Sequence, residues 1–382
     1  MIKPLWDEFE RMSAARDTAF AERDAAFAER DAAFVDRDTA LAERDAAISE
    51  RDAAQMARSD ALIIDKIKYR ERLLLSNYTR NVYSMISIEE KELLAFLAEE
   101  FYVGDGIIFD GGIFLGASTL CFYEGLKRRS VPYRTNTLKP IQAFDLGICE
   151  EYTADIVNHI WNTTLKPGDS FIEYTKINLS GVQDIIDIHV GNVMETAKNI
   201  SRSIEILFYD CGKTPGVDEF MIKNVFTKLI PGRSILIHQD FFFELGPWLH
   251  VSQGFLWNKF QYLGAFATSA VFLCTDRISD ADVSQYSWDA ISYEEAIRLS
   301  QVCIDATQDL GRRYLLELAQ CALAGYKGSP EDGVRKIQAL TVPDRRLTTH
   351  GIELNPPDRV LGLLNAASDK LRNSGSSRHK AP

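Results

Sequence analysis

Residues 106–119 read GIIFDGGIFLGAST. A short apolar run ends in Asp110, three glycines follow, and Ser118 and Thr119 lead into the helical spacing of LCFYEGLKRR. Strand, glycine turn and helix, in that order, open a crossover unit. Gly111, Gly112 and Gly116 let the backbone turn sharply and approach a ligand closely. Ser118 or Thr119 is expected to cap the helix and leave its first N–H groups facing a carboxylate. The same residues also fit a plain glycine turn with no ligand. Their spacing, D-x-G-x-x-x-G, is not the G-x-G-x-x-G of dinucleotide loops, which disfavours a nicotinamide cofactor.

Working outward, further apolar runs stand at 141–145 (IQAFD), 185–190 (IIDIHV), 204–210 (IEILFYD), 234–240 (SILIHQD), 260–266 (FQYLGAF) and 270–274 (AVFLC). The first five runs are separated by stretches long enough for crossover helices, which predicts parallel strands. The last two are close enough for an antiparallel hairpin at the sheet edge. The expected fold is α/β: a doubly wound, mostly parallel seven-stranded sheet with an antiparallel edge hairpin. Four runs end in aspartate: Asp110, Asp145, Asp210 and Asp240. Ligands of open parallel sheets bind outside the carboxyl ends of the strands. Four carboxylates gathered there repel one another, so a ligand, a cation or hydrogen-bond donors must offset them.

The flanks differ in kind. From Arg16 the chain repeats RDTAFAE, RDAAFAE, RDAAFVD, RDTALAE, RDAAISE and RDAAQMA, six heptads over residues 16–57. Rich in alanine, without Gly or Pro, the repeat predicts a helical rod of roughly 60 Å. Its strict seven-residue period predicts supercoiling with a partner helix, so residues 1–80 are expected to form a self-associating coiled coil. Residues from about Ser59 to Phe101 carry an ordinary amphipathic helical pattern, and 81–280 hold the sheet. Helical patterns fill 281–372, and 373–382 (NSGSSRHKAP) reads as a disordered tail.

The 382 residues are 46% hydrophobic and 10% aromatic, enough for a sizeable core. A net charge of −12 argues against nucleic-acid and membrane partners, which attract Lys and Arg. No run has the length of a signal peptide or a membrane span, and six scattered cysteines form no C-x-x-C pair. A cytoplasmic protein with reduced thiols is expected.

Residues 106–276 resemble the Rossmann-like S-adenosylmethionine-dependent methyltransferases. The resemblance implies that Asp110, Gly111, Gly112, Gly116 and Ser118 hold the methionine end of that cofactor. It assigns Asp145 to the ribose hydroxyls and Asn192, in HVGNVME, to the adenine. The segment YDCGKT is similar to the D-x-x-K of catechol and caffeoyl-coenzyme A O-methyltransferases. That similarity implies Asp210 and Asp240 as magnesium ligands and Lys213, with a depressed pKa, as general base. Those enzymes carry a third polar ligand where this chain has Phe241. Gln239 or His238 could take its place, but strand alternation puts His238 and Asp240 on one side and Gln239 on the other, and His238 reads better as a core histidine. The aromatic run FFFELGPW at 241–248 reads as a packed lid or core.

The expected activity is methylation of a hydroxyl on a small molecule or sugar. The rival expectation is a non-catalytic oligomeric scaffold with a degenerate methyltransferase-like domain.

Overall fold

A computed structural model describes residues 75–130, 139–341 and 357–377. The heptads at 16–57 lie outside the described residues. All seven expected strands form, within a residue or two of their predicted bounds: β1 Ile107–Gly111, β2 Ile141–Asp145, β3 Ile186–Val190, β4 Ile204–Tyr209, β5 Ile235–His238, β6 Phe260–Phe266 and β7 Ser269–Cys274. They make one sheet in the order β3-β2-β1-β4-β5-β7-β6. β7 runs antiparallel to both neighbours, and all other pairs are parallel. Chain order reverses between β1 and β4, so the connections after them diverge and leave a crevice at their carboxyl ends.

The first described helices are α1 (Asn77–Asn81) and α2 (Ile88–Glu100), followed by α3 (Ala117–Arg128) after the glycine turn. The sequence from about Ser59 to Phe101 carries an amphipathic helical pattern. The chain breaks between α1 and α2, and every residue of α2 from Glu90 to Ala98 is buried. Tertiary packing explains this: α2 lies so close to Gly125 of α3 that a Cβ there would sit 2.1 Å from the Ala95 carbonyl oxygen and 2.7 Å from the Ala98 Cβ. The polar heads are satisfied locally. Lys91 Nζ donates to the carbonyls of Arg80 and Val82 at 3.2 and 2.8 Å. Glu90 closes a capping box with Ser87 and also accepts from the Thr268 and Ser269 hydroxyls at 3.0 and 2.7 Å.

One sheet face carries Phe208 against Phe122 of α3, ring centroids 6.4 Å apart. The other carries Phe109, Leu207, Tyr209 and Leu236 into a larger core. That core continues through α8 (Pro247–Phe255) into α10 (Tyr293–Ala306), α11 (Leu310–Lys327), α12 (Pro330–Ala339) and α13 (Asp358–Ser377). Along the chain α4 (Glu151–Trp161) and α5 (Ile172–Asn178) connect β2 to β3, α6 (Val193–Thr196) connects β3 to β4, α7 (Pro215–Phe220) lies between β4 and β5, and α9 (Asp280–Ser284) follows β7. The C-terminal helices thus share their apolar interior with the sheet. α13 runs to Ser377, so residues 373–377, expected in an unstructured tail, are helical. Among the described residues, no helix is long and apolar enough to cross a membrane.

Candidate active site

The glycine turn is knitted to both neighbouring strands. Gly112 N–H donates to Phe144 O at 2.8 Å, and Asp210 N–H donates to Gly111 O at 2.9 Å. Gly112 has φ of +94°, and a Cβ there would sit 2.8 Å from the Asp210 carbonyl oxygen. Only glycine fits on both counts.

Gly116, at φ +89°, is the N-cap of α3, and no side chain caps the helix. This corrects the expectation for Ser118 and Thr119, which lie inside the first turn. Their hydroxyls donate to Asp110 Oδ2 at 3.1 and 2.5 Å. Asp110 is fully buried, and its Oδ1 has no hydrogen-bond partner. Burial pushes its carboxyl up to about 7; the two hydroxyl bonds oppose the rise and the charge of Asp145 adds to it.

Asp145 organises the neighbouring loops through backbone donors. Its Oδ2 accepts from Phe114 N–H at 2.8 Å and its Oδ1 from Gly147 N–H at 2.7 Å. Burial raises its pKa against these bonds. Phe114 and Asp240 are two of the four described non-glycine residues with positive φ, at 44° and 58°. Backbone held in this region costs of order 1–3 kcal/mol and collects at functional sites. Asn192 is exposed and caps α6, its Oδ1 accepting from Met194 N–H at 3.0 Å.

At the β4 and β5 ends a different arrangement holds. Lys213 Nζ donates to Asp210 Oδ1 at 2.5 Å and also to Asp240 Oδ2. Burial alone would lower the lysine pKa, but the charges of Asp210 and Asp240 outweigh it and raise it. The lysine side chain is 59% exposed, which leaves the carboxylates in control. The expected depressed lysine base is therefore overturned: its proton is held by two acids. Asp210 itself is pushed up to about 7 by burial, with Lys213 opposing and Asp240 adding.

The DCGKT loop is set from below. Trp248 Nε1–H donates to Gly212 O at 2.8 Å, and a Cβ at Gly212 would lie 2.5 Å from the Tyr209 hydroxyl. That hydroxyl donates to buried Asp218 at 2.8 Å, which anchors the ring.

The residues present do not fit a divalent ion. Asp210 and Asp240 come together, but Lys213 bridges them. Phe241 is 2% exposed and packs edge-on against Phe242, Phe272 and His250. His238 is fully buried beside Tyr209 and Phe241, its pKa lowered to about 3 by burial, as a core histidine. β5 ends at His238 and Asp240 has left-handed backbone, so the alternation argument for its side chain lapses. Among the described residues no group of three or more His, Cys, Asp or Glu could hold a metal ion.

On the β1–β2 side the acids keep acceptor capacity for hydroxyl donors of a ligand. Asp110 Oδ1 lacks a partner, and Asp145 keeps lone pairs beyond its two backbone bonds. Sequence reading missed the apolar pair beside it, exposed Leu146 and Val190, the latter in register with Asp145. An apolar residue directly after a strand-end acid, Leu146 after Asp145, was the available signal. The cavity between Gly112–Phe114, Ser118, Asp210 and the Ser84–Ile86 segment measures about 20 Å³. That admits a water, so a cofactor requires the Ser84–Ile86 cover to shift. Tyr83 lies edge-on to Phe114 at 6.3 Å, which places the cover over the turn. A separate groove of about 680 Å³ lies between α1, α3 and Asn178–Val182, and none of the four carboxylates lines it.

The chain matches no protein-family model and no curated protein. Among solved structures it is similar to the O-methyltransferase NovP, at 14% identity and TM-score 0.37 over 58% of this chain and 100% of that one. It is similar to the SAH-bound Podospora anserina methyltransferase PaMTH1, at 14% and 0.37 over 58% and 96%. It is also similar to the calicheamicin methyltransferase CalS11, at 15% and 0.35 over 57% and 93%. Likenesses this slight leave the chemistry of the site to its own residues.

Proposed function

We propose that the protein is an S-adenosylmethionine-dependent methyltransferase acting on a hydroxyl of a small molecule or sugar. The observation that carries this is the switch-point crevice, where Asp145 is held by two loop N–H groups beside a glycine turn and a second acid pair stands across it. Asp145 would bind the ribose hydroxyls, with Leu146 and Val190 against the base and Asn192 at its edge. The glycine turn and the first turn of α3 would face the methionine end. When bound, the cofactor supplies a methyl group already activated by its sulfonium, so alignment and proton removal are what the chain must provide.

The acceptor hydroxyl gives its proton to the Asp210–Asp240 pair. The bound cofactor would supply the methyl group to the acceptor oxygen, and the proton would leave through the carboxylate. Asp240 is the more exposed of the two, at 30% against 14%, and is the side an acceptor reaches. Lys213, already protonated, aligns both acids.

Calorimetry with S-adenosylhomocysteine tests the cofactor assignment. Binding by the wild type that is lost in Asp145→Ala is expected; no binding, or binding untouched by that change, refutes it. A second reading, a non-catalytic scaffold, is favoured by one observation, the small volume, about 20 Å³, of the cavity beside the glycine turn. Cofactor binding without turnover of any hydroxyl acceptor by the wild type would favour it.

A further inference from the structure

The Asp210–Asp240 pair has its counter-ion built into the chain. Three observations meet here. The ammonium of Lys213 lies within hydrogen-bond distance of an oxygen on each carboxylate. The loop that carries it is fixed from below by the Trp248 bond to Gly212 O and by the Tyr209 ring under Gly212. The next position after Asp240 is Phe241, turned into the aromatic core and unable to donate a lone pair.

We propose that Lys213 is a resident cation that occupies the space between Asp210 and Asp240 and excludes a divalent metal from it, so that the protein's acceptor side operates metal-free. This deepens the reading of that edge as the acceptor side and rests on it for its role in turnover, though not for cation exclusion. Two carboxylates facing one gap would otherwise suit a hard divalent ion with waters completing its shell. A lysine ammonium is a compact point charge with three donors, so it can bond both acids and still offer a proton to solvent or substrate. Lys213 is thus a positioning residue: it sets the rotamers of both acids and holds their net charge at minus one. An anionic acceptor group is disfavoured there, and a neutral hydroxyl is favoured.

The test titrates Mn²⁺ alone into the full-length protein and reads the free-ion signal by electron paramagnetic resonance. Three variants are compared with the wild type: Lys213→Met, Lys213→Arg, and Lys213→Met combined with Asp240→Asn. The wild type and Lys213→Arg are expected to leave Mn²⁺ free. Lys213→Met is expected to bind one ion per chain at least about tenfold more tightly, a difference of about 1.4 kcal/mol. The double variant is expected to lose it again. Wild type binding as tightly as Lys213→Met overturns the proposal, as does Lys213→Met remaining without Mn²⁺ while its circular dichroism matches the wild type. If Lys213→Met does not fold, Lys213→Gln takes its place with the same two outcomes. S-adenosylhomocysteine calorimetry on the same samples reports separately on the cofactor side, so a failure of either reading is recognised by its own signal.

Discussion

The carboxyl edge of the sheet has two halves that satisfy their acids differently. On the β1–β2 side, Asp110 and Asp145 are held by hydroxyls of α3 and by backbone N–H groups of two loops. Those donors belong to the fold and cannot leave without remodelling it. On the β4–β5 side, Asp210 and Asp240 share the tip of one half-exposed lysine side chain. That donor can swing away at the cost of a rotamer change. A rigid half suits a ligand that is the same in every turnover, and an adjustable half suits the partner that reacts and departs.

The largest break in this contrast is expected at Asp145. Asp145→Ala leaves the N–H groups of Phe114 and Gly147 without their acceptor and releases the strained backbone at Phe114. With each charge-assisted bond contributing about 1.5–3 kcal/mol, a stability loss of roughly 3–5 kcal/mol by urea denaturation is expected. Asp240→Asn, by contrast, should change stability by less than about 1 kcal/mol, since its partner is a solvent-reached lysine. It should abolish most turnover while leaving S-adenosylhomocysteine affinity unchanged. Equal stability losses for the two variants would erase the distinction between the halves.

Next in size is a pH effect on the rigid half. Folding moves the Asp110 carboxyl from its ordinary 3.8 up to about 7 through burial. Below about pH 4 the group is protonated in both states and contributes no slope. Between about pH 4 and 7 the unfolded chain is ionised while the folded one keeps the proton, so stability falls as pH rises, and the loss is complete above about pH 7. Asp110→Asn carries no such charge. The drop in unfolding free energy from about pH 4.5 to 8 should shrink by a few kcal/mol in that variant. Asp210 and Asp218, also raised to about 7, keep a residual slope in place. An identical pH profile in wild type and variant would remove Asp110 from this account.

The strand ends of both halves were legible from sequence, and the hydrogen bonds that hold their acids were not. Apolar runs closing on aspartate gave the strands, because a strand's side-chain pattern is local and Asp110 and Asp145 lie within their strands. The protonation of Lys213 depends on Asp240, 27 positions away, brought near by parallel pairing of β4 with β5. No spacing rule reveals that. The helix cap was misplaced for a related reason. Ser118 and Thr119 have good capping chemistry, but a buried acid one strand earlier drew their hydroxyls inward and left Gly116 as the cap. Glu90 had no reading of its own in the helical pattern, yet it closes a capping box with Ser87 and its Oε1 fastens α2 to the β6–β7 turn.

A smaller pair of changes probes what sets the adjustable half from beneath. Gly212→Ala drives a Cβ to within 2.5 Å of the Tyr209 hydroxyl, whose ring is buried and bonded to Asp218, so the loop must yield. About 1–3 kcal/mol of destabilisation is expected, with weaker acceptor binding, measured as a raised KM.

Trp248→Phe is gentler. It removes a single donor to Gly212 O at 2.8 Å, about 1 kcal/mol of stability, and keeps most of the aromatic packing against Tyr326. The loop then keeps its fold but loses the side-chain bond that holds the Gly212 carbonyl, one residue before Lys213. Turnover should fall several-fold with S-adenosylhomocysteine affinity unchanged, because no bond of the Trp248 side chain reaches Asp110 or Asp145. A parallel loss of cofactor affinity in Trp248→Phe would mean that the two halves of the edge are coupled through the Gly111–Asp210 backbone bond, and that the adjustable half is anchored to the rigid one.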